Sequence, residues 1–557
     1  MAYQRLADND VPAPDPSVKS LGLTGLPHDP VDRTSAASNT TLTNGYFENG
    51  NSNDAKGKGV NSPITPLELN TLIPPTIPHD QTCWPPITPR RARTLVLCFD
   101  GTGDQFDDDN SNIVRLFQLL KKNDPTRQMC YYQAGIGTYT APSVNGAISG
   151  FVAAKLDEAI AYYLHAHVQE GYEFLMQNYV HGDKICLFGF SRGAYTARAL
   201  AGMVHSVGLL PQWNTQQVPF AWKCYTDGSP KGLVRASEFK AAFSSNVIID
   251  FVGVFDTVAS VGIISKELPF AASNRAIRVF RHALALDERR VKFKANHFHN
   301  PPKIEVSTEK KIKAHQITGS LTQQEALDGK RVDPTGTHKP KRPETDSKEV
   351  WFAGCHCDVG GGSVSNKETV NLAMIPLRWM IQETIATETG ILFDLAQLDL
   401  IGLTPHHLPT SPDVKYPQLV EVDPPVPRTP SIPVQEVKDA VEPRFDQLAL
   451  AWAWWILELW PLRTKALDKE GRFVKGYLWP NLGHGRCIPD PNKYPLNIHR
   501  SVKYRAENFE WITPAKEGDR RKKAPYQPKA YWMDENNVHH HLDILHPETL
   551  PKINWVD

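Results

Sequence analysis

KICLFGFSRGAYTARALAGMV, residues 184–204, decides the fold. Its first seven residues form a short apolar run with the length and texture of a buried strand, and the small and apolar residues after Ser191 recur at helical spacing. Between them lies Gly189-Phe190-Ser191-Arg192-Gly193, a G-x-S-x-G elbow that carries a strained serine from the end of a strand into a helix. Glycines flank the serine because side chains at those two positions would collide with the adjoining strand or helix. A serine held in this way projects its Oγ at the carboxyl edge of a sheet, where ligands of open α/β folds bind.

Three further runs share the strand texture: Leu95–Phe99 within TLVLCFDGTG, VIIDFVGVFD (Val247–Asp256) and EVWFAGCH (Glu349–His356). Helical periodicity marks SNIVRLFQLLKK, GFVAAKLDEAIAYYLHAHVQEGYEFLMQNY and SRGAYTARALAGMVHSVG. Buried strands alternating with amphipathic helices predict an α/β fold, a mainly parallel sheet with flanking helices, and the elbow makes the expected fold α/β-hydrolase-like. LPFAASNRAIRVFRHALALDERRVKF (268–293) is basic and amphipathic and is expected as a helix packed on that sheet.

Around this domain, expected over 91–390, the texture changes. Residues 1–90 are rich in Asn, Ser, Thr, Pro, Asp and Gly and predict a disordered tail. Residues 303–349 are charged and poor in apolar residues, as in a flexible insertion. The proline-dense 391–445 reads as a linker, and 446–557 as a C-terminal cap or extension that includes the turn-rich hairpin region GRFVKGYLWPNLGHGR.

Lys+Arg and Asp+Glu number 61 each, so the chain lacks the net positive charge that holds a polyanion, and no nucleic-acid partner is expected. Eight cysteines in 557 residues are too few for a disulfide scaffold and several sit in apolar runs, which predicts a reducing compartment. The start MAYQRLADNDVPAP has no apolar signal core, and no 18 apolar residues run together, so an intracellular, soluble, cytoplasmic chain is expected.

A serine hydroxyl needs a base oriented by an acid, which in α/β-hydrolases follow in the order Ser, Asp/Glu, His. Asp256 closes one strand-like run and His356 closes the next, ahead of a glycine-rich segment, so Ser191, Asp256 and His356 are the expected catalytic residues. His499, in NIHRSV, is the rival base. Oxyanion donors are expected from the N–H of Arg192 and from the loop after the first strand, at Gly101 and Thr102. No metal or other cofactor is expected: Asp107-Asp108-Asp109 reads as a solvated loop, and Cys355-x-Cys357 has no second Cys/His pair at zinc spacing. CFDGT also lacks the first acid of the aspartate-phosphatase signature D-x-D-G-T, where Cys98 stands.

FDGTG, GFSRGA, GVFDTVAS, HALALDERR and H-x-DVGGG, in this order, resemble the α/β-hydrolase domain of type VI secretion system phospholipase effectors and their uncharacterised fungal and bacterial relatives, over about Arg93 to Trp379. The resemblance implies a serine esterase or phospholipase in which Ser191, Asp256 and His356 match the family's triad. The chain departs from the pattern at Cys357, where the family often has Ser, and at Ser363-Val364, where an aromatic is expected.

The expected function is hydrolysis of carboxylic esters, those of lipids or phospholipids, through an acyl-serine, with a lipid or small ester as substrate and peripheral membrane contact left open. The alternative is a catalytically idle hydrolase fold that binds a lipid or protein. LALAWAWWILELW (448–460) is expected as one helix of about 20 Å, too short to span a bilayer. It is either sandwiched in the protein or a cap whose Trp452 and Trp455 receive acyl chains.

Overall fold

Four apolar runs read as strands supply the middle of an eight-stranded sheet, and every pairing within it is parallel. The structure, a computed structural model, describes residues 83–84, 92–102, 104–135, 150–258, 268–271, 274, 276–298, 345–403, 434–452, 454–459, 462–467, 473–478, 481–489, 496–508, 510–511, 524–534, 538–545 and 553–557. All belong to one unit, residues 76–557. The strands are β1 (Thr94–Phe99), β2 (Gln128–Gln133), β3 (Lys184–Phe190), β4 (Ile249–Phe255), β5 (Ile277–Ala285), β6 (Asp346–Phe352), β7 (Leu496–His499) and β8 (Ile553–Val556). Their spatial order is β8-β7-β6-β5-β4-β3-β1-β2.

The chain moves outward from β1 to β2 and then returns to the other side of β1 as β3, so strand order reverses between β1 and β3. Ligands of open parallel sheets bind at such a switch point, beyond the carboxyl ends of the strands. Register places the site there: Phe99 pairs with Gly189, and Phe190 pairs with Phe255. Asp100, Ser191 and Asp256 therefore leave adjacent strands at one edge.

Alternation along the strands divides the core into two layers. Leu95, Leu97 and Leu187 pack with Tyr172 of α2 (Gly150–Asn178) and with Leu200 and Met203 of α3 (Ser191–Val207). Val96, Cys98 and Phe188 pack on the other side with Ile113 and Leu116 of α1 (Asn112–Leu119) and Trp379 and Met380 of α5 (Met374–Ala386). A short α4 (His356–Gly360) follows β6.

The basic stretch expected as a helix is instead β5, a central strand. Its internal charges are paired, which removes the penalty for burying them. Arg281 Nε reaches Glu383 Oε2 at 2.5 Å and its Nη2 reaches Asp346 Oδ2 at 2.7 Å, while His282 Nδ1 lies 2.7 Å from Glu349 Oε1. Strands β7 and β8 come from the expected C-terminal extension, so the sheet runs across the boundary expected at residue 390. β6 begins inside the expected insertion, and the expected linker contains the helices Leu395–Leu400 and Val434–Ala440. Cys83–Trp84, expected within the tail, pairs antiparallel with Phe393–Asp394. The rest of the tail to residue 91, residues 303–344 of the insertion and residues 404–433 of the linker lie outside the described residues.

The Trp-rich segment is not one helix. It forms α6 (Gln447–Leu450) and α7 (Trp454–Glu458), broken at Ala451-Trp452. The reason is in its capping and its one charge: Asp446 accepts the Leu448 and Ala449 N–H groups, and buried Glu458 is pulled into the protein by Val291 N–H at 2.6 Å and Asn481 Nδ2 at 2.9 Å. A hairpin pairs Leu462–Leu467 with Phe473–Leu478, so only its second strand lies in the stretch 471–486 expected as a hairpin region.

Candidate active site

Ser191 is the first residue of α3 and has φ of +58°. A non-glycine residue in this region is strained by about 1–2 kcal/mol, and close packing holds the strain in place. A Cβ at Gly189 would strike the backbone of Gly193, and one at Gly193 would strike the carbonyls of Phe99 and Asp100. The elbow thus needs both glycines for the steric reason read from the sequence.

Asp256 directly follows β4 and has φ of +40°. The turn is fixed by Asp256 N–H to Ala283 O at 2.7 Å and by Thr257 N–H to His282 Nε2 at 3.0 Å. His282 therefore carries its proton on Nδ1, toward Glu349. The Asp256 carboxylate is fully buried and saturated with donors. Oδ1 accepts Ala285 N–H at 2.9 Å and Arg486 Nη1 at 2.5 Å, and Oδ2 accepts Arg486 Nη2 at 2.8 Å and His356 Nδ1 at 2.6 Å.

His356 opens α4, 100 residues after Asp256. Since a carboxylate only accepts, Nδ1 carries the imidazole proton and Nε2 is the basic nitrogen. The ring lies between two aromatics, 4.7 Å from Phe190 beside the elbow and 4.9 Å from Phe293. Burial pushes the His356 pKa down, opposed by Asp256. Burial would raise that of Asp256, but the Arg486 guanidinium and the hydrogen bond with His356 hold it well below the usual carboxylate range.

The loop that carries His356 is anchored by the HALALDERR residues. Asp287 Oδ2 accepts Gly354 N–H at 2.7 Å, and Glu288 Oε2 accepts His356 N–H at 3.2 Å. Arg290 pairs with Glu288 at 2.9 Å and stands 3.6 Å over the Phe293 ring and 4.9 Å over that of Trp454. Trp454 meets Phe293 edge-on at 5.6 Å, so α7 touches the site through Phe293.

Of the expected oxyanion donors, Arg192 lies in the first turn of α3, and its Nη1 donates to Thr102 Oγ1 at 2.9 Å, joining the elbow to the first loop. Gly101 does not serve as expected. Its N–H is taken by Asp100 Oδ1 at 2.8 Å, part of a buried clasp that also accepts Ser111 Oγ at 2.6 Å and Tyr132 Oη at 2.7 Å. The rival base His499 is elsewhere, stacked on Phe352 at 4.8 Å with Nδ1 on Ser501 Oγ at 2.9 Å. Burial drops its pKa to about 3.

Sequence reasoning missed Arg486. It sits in an irregular segment after the hairpin, and nothing local marks it out from other arginines. The Trp residues divide: Trp452 is 72% exposed, while Trp455 is 39% exposed with Nε1 on Leu448 O at 3.0 Å. Among the described residues no cluster of three His, Cys, Asp or Glu side chains is placed to hold a metal ion, and no helix is long and apolar enough to cross a membrane.

The parallel sheet, its switch point and the glycine-flanked serine define an α/β-hydrolase-like domain. More narrowly, the chain belongs to the family described as the T6SS phospholipase effector Tle1-like catalytic domain, which it matches over residues 93–383. It is similar to the uncharacterized protein YEL023C of Saccharomyces cerevisiae, with 28% identity over 74% of this chain and 79% of that one. Among solved structures it is similar to an uncharacterized protein from Pseudomonas aeruginosa, with 18% identity, a TM-score of 0.29, and 57% of this chain and 48% of that one covered. It is also similar to the Tle1 effector, solved bound to the VgrG spike of the type 6 secretion system, with 19% identity, a TM-score of 0.25, and 49% and 52% covered. The chain spans about half the length of those two solved chains.

Proposed function

We propose that this protein is a serine hydrolase that cleaves carboxylic esters of lipids, phospholipids among them, through an acyl-enzyme. His356 Nε2 removes the proton from Ser191 Oγ as the oxygen attacks the ester carbonyl. Asp256 orients the imidazole and stabilises the imidazolium. The N–H groups of Arg192 and Thr102 face the developing oxyanion. The imidazolium then protonates the leaving alcohol, and water, activated by the same nitrogen, releases the acid.

The observation that carries the reading is the 2.6 Å hydrogen bond between His356 and Asp256, with the His356 ring packed 4.7 Å from Phe190, the residue before a serine in a strained elbow. The family's phospholipase description supports a lipid substrate, as does exposed apolar surface at Leu450, Trp452 and Leu459. Free thiols at Cys98, Cys130, Cys186, Cys224, Cys355, Cys357 and Cys487 support a reducing, cytoplasmic setting.

A fluorophosphonate probe tests the reading. The wild-type chain is expected to label and Ser191→Ala to remain unlabelled while keeping its fold. Labelling that persists in Ser191→Ala overturns the assignment, and a wild-type chain that neither labels nor hydrolyses any ester is the idle binding module.

A further inference from the structure

The carboxylate that orients His356 is held by a residue outside the family-matched segment. Arg486 lies beyond residue 383, in the irregular segment after the C-terminal hairpin, and is buried to 2% exposure. Besides its two bonds to Asp256, its Nε and Nη2 donate to Phe293 O at 3.0 and 2.6 Å and its Nη1 to Ala285 O at 3.2 Å. The fork is thus aimed at the carboxylate and fixed by two carbonyls, one of which belongs to the aromatic that packs on His356.

We propose that Arg486 is a positioning residue of the catalytic apparatus: its fork sets the angle of the Asp256 carboxylate toward His356 and offsets its charge, so that His356 stays neutral, and competent as a base, at lower pH. This rests on the hydrolase reading above. Two consequences follow from geometry. Sharing Oδ2 between Arg486 and His356 weakens the pull of the carboxylate on the imidazole proton. Bidentate contact also fixes both oxygens, which a point charge does not do.

The other charged groups around His356 do not supply this. Glu288 and Arg290, after β5, are paired at 2.9 Å and act on His356 in opposite directions, Arg290 lowering its pKa and Glu288 raising it. Asp358, on α4 itself, faces the Cys355 and Phe445 N–H groups, and burial holds the Cys355 and Cys357 thiols uncharged. Lys294, near Arg486, is bound to Asn481 Oδ1 and Gly485 O, not to Asp256. Arg486 is the cation in contact with the acid.

The test is the pH profile of kcat/KM on a soluble short-chain ester, with the full chain as wild type, Arg486→Gln, Arg486→Lys and Ser191→Ala. Arg486→Gln removes the charge, and the acid limb is expected to move up by about one pH unit. Arg486→Lys keeps the charge and loses the fork. Its limb is expected near that of the wild type, with kcat down about tenfold and KM unchanged. A folded Arg486→Gln whose limb does not move, or limbs that move equally in both variants, overturns the proposal. Where Arg486→Gln fails to fold, Arg486→Lys decides, and a wild-type kcat overturns it. Hydrolysis that survives Ser191→Ala overturns the underlying triad and the role of Arg486 with it, whereas Ser191-dependent hydrolysis with unmoved limbs overturns the Arg486 proposal alone.

Discussion

His356 and Arg486 share a single oxygen: Oδ2 of Asp256 accepts the imidazole Nδ1–H at 2.6 Å and the guanidinium Nη2–H at 2.8 Å. A buried carboxylate that accepts from a guanidinium and from an imidazole balances a buried charge and, in the proposed triad, orients the base. The two roles can be separated by mutation.

Asp256→Asn is expected to lower kcat by about 10⁴-fold, since an amide does not select the imidazole tautomer that a carboxylate does. It also leaves Arg486 buried without an anion, which costs about 3–5 kcal/mol of stability. Adding Arg486→Gln to Asp256→Asn removes that unpaired charge and is expected to recover part of the stability and none of the activity. Urea unfolding and ester hydrolysis on the same preparations check this. A double variant no more stable than Asp256→Asn would refute the charge-balance account.

Burial lowers the His356 pKa, so its neutral form persists below the ordinary imidazole value of about 6.5. Asp256, shifted downward by Arg486 and His356, stays ionised through the same range. The acid limb of kcat/KM is therefore expected below pH 6.5, with activity lost as the pH falls through the lowered His356 value. A limb above 6.5 on a soluble ester would contradict the assignment of His356 as the base.

Asp104 gives a stability effect of opposite sign. Burial, with Asp100, Asp107 and Asp109 nearby, raises its pKa to about 8. Folding favours its protonated form, so the penalty is absent below the ordinary Asp value and grows as the pH rises toward the folded one. Asp104→Asn is expected to raise Tm at pH 8 and to leave it unchanged at pH 4. Equal shifts at both values would show that ionisation of Asp104 is not the cause.

What was legible in the sequence was local. β1, β3, β4 and β6 contain continuous apolar runs because both faces of the sheet are covered, and the elbow announces itself through glycines that backbone sterics demand. β5 was misread because Arg278, Arg281 and His282 break its apolar run. Their partners Asp250, Glu383, Asp346 and Glu349 lie on other elements, and no local pattern reveals such pairing. β7 and β8, of four residues each, are too short to carry a period. Asp256 and His356 were readable as residues near strand ends, in the order that the proposed triad requires, whereas Arg486 is defined only by what the folded chain brings to it.

The Trp-rich segment allows the substrate reading to be tested residue by residue. Trp452 is 72% exposed, and in the same segment Leu450 is 65% and Leu459 61% exposed, apolar side chains that the core does not use. Trp454, two residues on, meets Phe293 at 5.6 Å, and Phe293 meets His356 at 4.9 Å. Truncating Trp452 removes surface that a lipid interface would bury, where Trp is favoured, and is expected to change stability by less than about 0.5 kcal/mol. It should lower the ratio of long-chain vesicle hydrolysis to short-ester hydrolysis about tenfold, the equivalent of about 1.4 kcal/mol of interfacial binding. Trp454→Ala loosens the ring that backs Phe293 and is expected to reduce both activities alike. If Trp452→Ala also reduces both alike, the exposed surface does not select lipid, and the substrate assignment falls back on the family alone.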